Sequence, residues 1–137
     1  MFKLKQKRKD KLWSKVCAYV RSRYTMIDVE PVQGMFNFRC HENSVQYAKS
    51  NEGYGIAEVI YIEDGSPILH YVNTKDGKFY ETTLGWRAED LEYYKIRDIH
   101  PSDWNRIHSE FSRALDSWNE QFTNWMDRRI LKIDRIL

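Results

Sequence analysis

Three side chains fall along this chain in an order that suits thiol chemistry: Cys40, His70 and Glu81. Cys40 stands where a short helix is expected to begin, at about 40–50. A helix N-terminus carries unsatisfied N–H groups and a partial positive charge. Both favour a thiolate over a thiol, and the same N–H groups can hold an oxyanion. The roles then follow. Cys40 attacks an acyl carbon, His70 takes the thiol proton and returns it to the leaving group, and Glu81 holds the imidazole in one tautomer.

His70 and Glu81 belong to two β-rich runs, 68–72 and 78–83, separated by a stretch that contains Asp76-Gly77. Side chains alternate faces along a strand, so His70 shares a face with Ile68 and Val72, and Glu81 with Phe79 and Thr83. A four-residue loop over 74–77 pairs Asn73 with Lys78 and His70 with Glu81. A tight Asp76-Gly77 turn pairs Lys75 with Lys78 and leaves Glu81 diagonal to His70. The tight turn sets two lysines opposite each other, which favours the longer loop. In both registers Glu81 lies on the face of His70. A three-residue loop with a bulge would turn it away.

Other residues near this trio have chemistry of their own. Asn43 lies three residues after Cys40, on the same helical side, where it lines the site or caps backbone groups. Gln33 or Asn37 is a candidate oxyanion-hole side chain ahead of the cysteine. Asn73 is a second candidate to orient His70, but alternation sends it to the opposite face. His41, next to Cys40, is expected to point elsewhere and be a surface residue, and His100 and His108 to be structural or exposed. Cys17 sits on an apolar helical stripe and reads as core. Zinc held by Cys40, His41, His70 and an acid lacks the paired spacing of a zinc site, so neither a metal nor a cofactor is expected.

The elements that must position these groups are legible as one α+β domain spanning 1–137. Residues 10–24 carry Trp13, Val16, Cys17, Val20 and Tyr24 at helical spacing, behind a basic arm at 1–9 expected to fray. Residues 25–39 read as irregular. The core, 35–98, holds the helix at 40–50 and strands at 56–62, 68–72 and 78–83, with a fourth within 90–98; Asp64-Gly65 and Asp76-Gly77 mark the hairpin gaps. A long helix over 101–133 carries a near-heptad stripe from Trp104 to Trp125. It is expected to pack across the sheet, or else to form a homodimer or a protein-partner interface.

Composition narrows the classes. There are 22 Lys and Arg against 20 Asp and Glu, but nine of those cations crowd into residues 1–24. That cluster makes a nucleic-acid partner conceivable without arguing for one. Two cysteines are too few for a disulfide scaffold. Neither a signal-peptide core nor a membrane-spanning run is present, so a reduced, cytoplasmic protein with no membrane contact is expected.

The set of motifs resembles a known group. A Cys at a helix start, a His on a strand and an acid on the next strand is the order of papain-like and transglutaminase-like enzymes. Residues 38–45, Phe-Arg-Cys-His-Glu-Asn-Ser-Val, look like the Cys-x-x-Asn-Ala opening of small uncharacterised phage and bacterial proteins. Glu52-Gly53-Tyr54 is similar to their Glu-Gly-Tyr, and Pro67-Ile68-Leu69-His70 to their Pro-x-x-His. Residues 76–83 are similar to their Asp-Gly-x-x-x-Asp-Pro-Thr, with Glu81 in place of Asp and Thr82 in place of Pro; Tyr71 follows His70 where a small residue is common. The resemblance covers about 35–87. It implies a papain- or transglutaminase-like core, and a thiol hydrolase or acyltransferase acting on an amide, isopeptide or ester bond of a protein or peptide-like substrate. The alternative is a phage-type binding protein on the same scaffold, in host cytoplasm, engaging a host protein or nucleic acid through the basic arm and the aromatic helix.

Overall fold

Aspartate followed by glycine closes two hairpins that set the register of the sheet. Asp64 and Gly65 have φ of 48° and 80°, and Asp76 and Gly77 have 51° and 77°. Two successive positive φ values are the two-residue turn whose twist matches paired strands, and Asp-Gly is among the few dipeptides that take it without strain. The computed structural model describes residues 2–32 and 39–137.

The elements run α1 (Phe2–Arg23), β1 (Met26–Ile27), β2 (Val29–Pro31), α2 (Cys40–Ser50), β3 (Gly55–Glu63), β4 (Ser66–Lys75), β5 (Lys78–Glu81), β6 (Glu92–Ile99), α3 (Ile107–Phe122) and α4 (Trp125–Arg129). Short 3-10 helices at Gly85–Asp90 and Pro101–Arg106 precede β6 and α3. The strands form one sheet in the order β1-β6-β3-β4-β5-β2, antiparallel except for β2 against β5.

This order forces the sheet to curl. Laid flat, six strands would hold their outer edges about 24 Å apart. Yet β1 and β2 are those edges, and only Asp28 separates them, a reach of about 7.6 Å. An irregularity in the β3–β6 pairing at Glu58/Val59 adds local twist. The stretch 25–39, expected to be irregular, therefore supplies both edge strands. Two- and three-residue strands carry too little pattern to stand out in a sequence.

Side-chain alternation in β3 splits the core. Ala57, Val59 and Tyr61 face one way and pack with Val72, Leu84, Ala88 and Tyr93 inside the curl. Ile60 and Ile62 face the other way, with Leu69, against Val16 and Val20 of α1, Trp118 of α3 and the tail residues Ile133 and Ile136. A third cluster joins Cys40 and Ala48 of α2 to Ile56, Tyr71 and Ile99. Cys17 is buried in the second of these groups, as core.

Three expectations need correction. The basic segment, expected to fray over 1–9, is helical from Phe2 onward, where α1 begins. Arg8 is clamped by Asp127 through two bonds of 2.8 and 3.0 Å, and Trp13 Nε1 donates to the Ile136 carbonyl at 2.7 Å, so the C-terminal segment ties the helix down. The helix over 101–133 is instead three pieces. Thr123 is extended, and Asn124 and Asp127 form a reciprocal capping box that starts α4 afresh. The aromatic stripe is consumed within the molecule as far as Phe122, through contacts of Trp118 and Phe122 with Tyr19 and of Phe111 with Tyr71; Trp125 is exposed. The turn is the tight one: Lys75 pairs with Lys78. The two positive φ values at Asp76-Gly77 outweigh a lysine–lysine repulsion that water screens, and Lys75 swings over the Tyr54 ring.

Candidate thiol site

Cys40 opens α2, at the position expected for it. The strand β5 pairs with β4 only over Asn73–Lys75, so the rest of the outer edge of β4 has no strand on that side. The start of α2 fills that gap. Asn73 fastens it there, its amide donating to the Ser44 carbonyl at 2.8 Å and the Gly55 carbonyl at 3.1 Å while its oxygen accepts from Thr82 at 2.6 Å. Asn73 thus lies off the face of His70, as alternation requires, and serves as a staple between helix and sheet. Asn43 is buried and donates to Thr83 Oγ1 at 3.2 Å, so it braces the strand end beside the site.

His70 and Glu81 meet as alternation requires. His70 Nε2 lies 2.8 and 3.0 Å from the two oxygens of Glu81. The tight turn leaves Glu81 diagonal to His70 across the hairpin, a longer span than a directly opposed pair. The extra methylene of Glu over Asp fits that diagonal. Glu81 is fully buried and its carboxylate is well satisfied. Beyond His70 it accepts from Tyr93 Oη at 2.6 Å and from the backbone N–H groups of Thr83 and Leu84 at 3.0 and 3.1 Å. The chain after β5 wraps back round its own carboxylate. Tyr93 comes from β6, three strand positions away, and arrives only because the sheet is curled. Tyr61 sets its ring edge-on to His70, with centroids 5.2 Å apart.

With Nε2 committed to Glu81, Nδ1 is the imidazole nitrogen left for the thiol. Cys40 and His70 line one cavity of about 260 Å³, together with His41, Tyr61, Leu84, Phe111 and Arg135. Burial of Cys40 works against ionisation. Hydrogen bonds from His41 and His70, the His70 charge and a bond from the Tyr71 backbone outweigh it and bring the thiol from 9.0 down to about 6. Burial would likewise lower His70. The Glu81 charge and the bond to Cys40 reverse that and hold the ring up to about 10. Burial pushes the Glu81 carboxyl up, and the adjoining imidazolium with its hydrogen bonds carries it below its ordinary value. The three groups therefore favour a thiolate–imidazolium–carboxylate arrangement near neutral pH. That arrangement can attack an electrophilic carbon and return a proton to a leaving group.

His41 departs from its expected place. It is half-buried, its Nδ1 lies 3.7 Å from the Cys40 sulfur, and its ring stacks on Phe111 at 5.1 Å and meets His108 edge-on at 4.4 Å. Consecutive helical residues point about 100° apart, so sequence spacing argued against this contact. Phe111 of α3 pulls the ring inward, and no local pattern announces it. Tyr93 was legible only as a strand residue. His100 bonds Ser102 and caps the 3-10 helix at Pro101–Arg106. Gln33 and Asn37, the candidate oxyanion side chains, lie outside the described residues. Among the described residues no group of three or more His, Cys, Asp or Glu side chains gathers where a metal ion would sit. Comparison with known proteins adds nothing to the geometry: no family model, no curated protein and no solved structure matches this chain.

Proposed function

We propose that this protein is a thiol-dependent hydrolase or acyltransferase acting on an amide, isopeptide or ester bond. One observation carries the reading. A thiol lowered to about 6 at the start of α2 shares a cavity with an imidazole whose far nitrogen is bonded to a buried carboxylate. Cys40 is the nucleophile, His70 the acid and base, and Glu81 the group that orients His70. The first N–H groups of α2 are the donors available to a developing oxyanion. Proton transfer from thiol to imidazole precedes attack, and the same proton leaves with the amine or alcohol. Water or a second nucleophile then releases the acyl group. A papain- or transglutaminase-like core is part of the proposal. It is supported by the order of helix-borne Cys and strand-borne His and acid, with α2 packed against an antiparallel sheet.

The cavity is small, with apolar lining from Tyr61, Ile68, Leu69, Leu84 and Phe111 and polar lining from His41, His70, Thr83 and Arg135. That lining suits a side chain or acyl group entering singly rather than a folded surface.

The test is alkylation. Iodoacetamide should modify Cys40 with a pH midpoint near 6, and Cys40→Ser should abolish the modification at that site. A midpoint at 8.5 or above, the range of an ordinary cysteine, would remove the basis for a nucleophile here.

A further inference from the structure

We propose that the surface built from α1 and the segment from Trp125 onward docks this protein on an anionic lipid bilayer. Residues 1–24 and 125–137 hold thirteen Lys and Arg against three acids; the hundred residues between them hold nine against seventeen. The two basic segments stand at opposite ends of the chain. Arg8 bound to Asp127 and Trp13 bound to Ile136 bring them together. Among the described residues only two of those thirteen cations, Arg8 and Arg21, sit in an ion pair.

The arrangement within α1 is more pointed than its charge. Lys3, Lys7, Lys11 and Lys15 are all exposed and recur every four residues, so they form one stripe along the helix, about 18 Å long. Like charges at that spacing destabilise a helix. Asp127 is bonded to Arg8 and also attracts Lys15, and among the described residues none of the four lysines sits in an ion pair. An external anion is what such a stripe fits.

Apolar side chains choose the kind of anion. Seven large apolar residues are exposed among the described ones, and five of them lie in these two segments. Phe2 (81% exposed) and Leu4 (59%) flank Lys3, while Trp125, Met126 and Ile130 lie on either side of Arg128 and Arg129 in the chain. Aliphatic chains find no partner on a phosphodiester backbone, whereas the boundary between headgroups and acyl chains accepts Leu, Ile, Met, Phe and Trp beside Lys. Lysine, a mobile point charge, suits a fluid array of headgroups better than a fixed phosphate geometry. No helix among the described residues is long and apolar enough to cross a membrane, so the contact is peripheral. A contiguous apolar run is what marks a membrane contact in a sequence, and its absence underlies the expectation of none. A surface assembled from two distant segments carries no such run.

The test uses the full chain and sedimentation with phosphatidylcholine vesicles, with and without about 30 mol % phosphatidylserine. The wild type should bind only the phosphatidylserine vesicles, and raised salt should weaken it. Changing Lys3, Lys7, Lys11 and Lys15 together to Gln, which preserves helix propensity, should weaken binding about 10²- to 10³-fold. The pair Phe2→Ser and Leu4→Ser should weaken vesicle binding roughly tenfold or more and leave binding to a short DNA duplex unchanged. Iodoacetamide modification of Cys40 should match wild type in both variants, which verifies the fold. Absence of binding to phosphatidylserine vesicles at low salt would overturn the proposal. So would vesicle affinity unmoved by the lysine changes, or a lysine-dependent DNA affinity with none for vesicles.

Discussion

Replacing Glu81 with glutamine isolates the electrostatic role of a carboxylate the fold holds out of water. The substitution keeps the shape and one carbonyl acceptor. It removes the charge that holds His70 up to about 10 and sets an NH₂ group among donors, since Tyr93 and two backbone N–H groups already point at that position. Burial then weighs on His70 against the Cys40 contact alone and shifts the ring towards its neutral form. Without an imidazolium beside it, Cys40 moves from about 6 back towards 9.0. At pH 6 the wild-type thiol is half ionised, and a thiol at 9.0 is about 0.1% ionised, a factor of about 500 in thiolate. A more basic thiolate is more nucleophilic. With a Brønsted slope of about 0.45, three units return about twentyfold; the His41 and Tyr71 bonds to Cys40 remain, so the net loss of alkylation rate at pH 6 is at most about twentyfold. The assay is the iodoacetamide rate from pH 5 to 10 for wild type and variant. An upward-shifted midpoint is expected, with the variant slower at pH 6 and faster above pH 9, where its more basic thiolate is formed. A Glu81→Gln midpoint still near 6 would refute the claim that the carboxylate acts on the thiol through His70.

The same pair gives activity two limits. Cys40 is lowered and ionises above about 6, while His70 is raised and loses its proton above about 10, so turnover of an activated ester should rise through the first value and fall through the second. A rate still climbing at pH 11 would mean that the imidazolium plays no part. For stability the signs are opposed: the His70 contribution is complete below 6.5 and lost through 10, and that of Cys40 is complete above 9.0 and lost as pH falls through 6. Tyr93→Phe removes a 2.6 Å bond to a buried charge and should cost about 1.5–3 kcal/mol in urea unfolding; a change below 0.5 kcal/mol, the noise of a neutral surface change, would show that the bond is dispensable. Asn73→Ala strips three bonds, of which the one to Ser44 joins α2 to the sheet, and should cost at least about 2 kcal/mol while slowing Cys40 alkylation, because the helix start that carries the thiol loosens. Gly77→Ala meets no atom within 4 Å but sits at a φ of 77°, so its cost of about 1–2 kcal/mol should be wholly conformational, and the alkylation midpoint should stay in place.

Much of the site followed from local rules. The helix at 40–50, the hairpins at Asp64-Gly65 and Asp76-Gly77 and the shared face of His70 and Glu81 depend on dihedral preference and strand alternation, and both are written residue by residue. Whether Lys75 or Asn73 pairs with Lys78 was decided by the backbone energy of two positive φ values against a screened repulsion, a balance that charge counting misjudged. The break at Thr123 was present in the sequence as Asn124 followed by Asp127, but the aromatic period running through it masked the cap.

What remained hidden is what distance along the chain conceals. The curl that joins β1 to β2 through Asp28 is a property of the whole sheet, and it alone brings Tyr93 to Glu81. Phe111, seventy residues beyond His41 in the chain, turns that imidazole towards the thiol. Arg8 and Asp127 make one basic surface of two ends. Sequence determined which residues were equipped for thiol chemistry and which strand faces they occupied, because those depend on neighbours a few positions away. Tertiary structure decided what surrounds them, because the burial and partners that set a pKa come from segments whose approach only collective packing specifies.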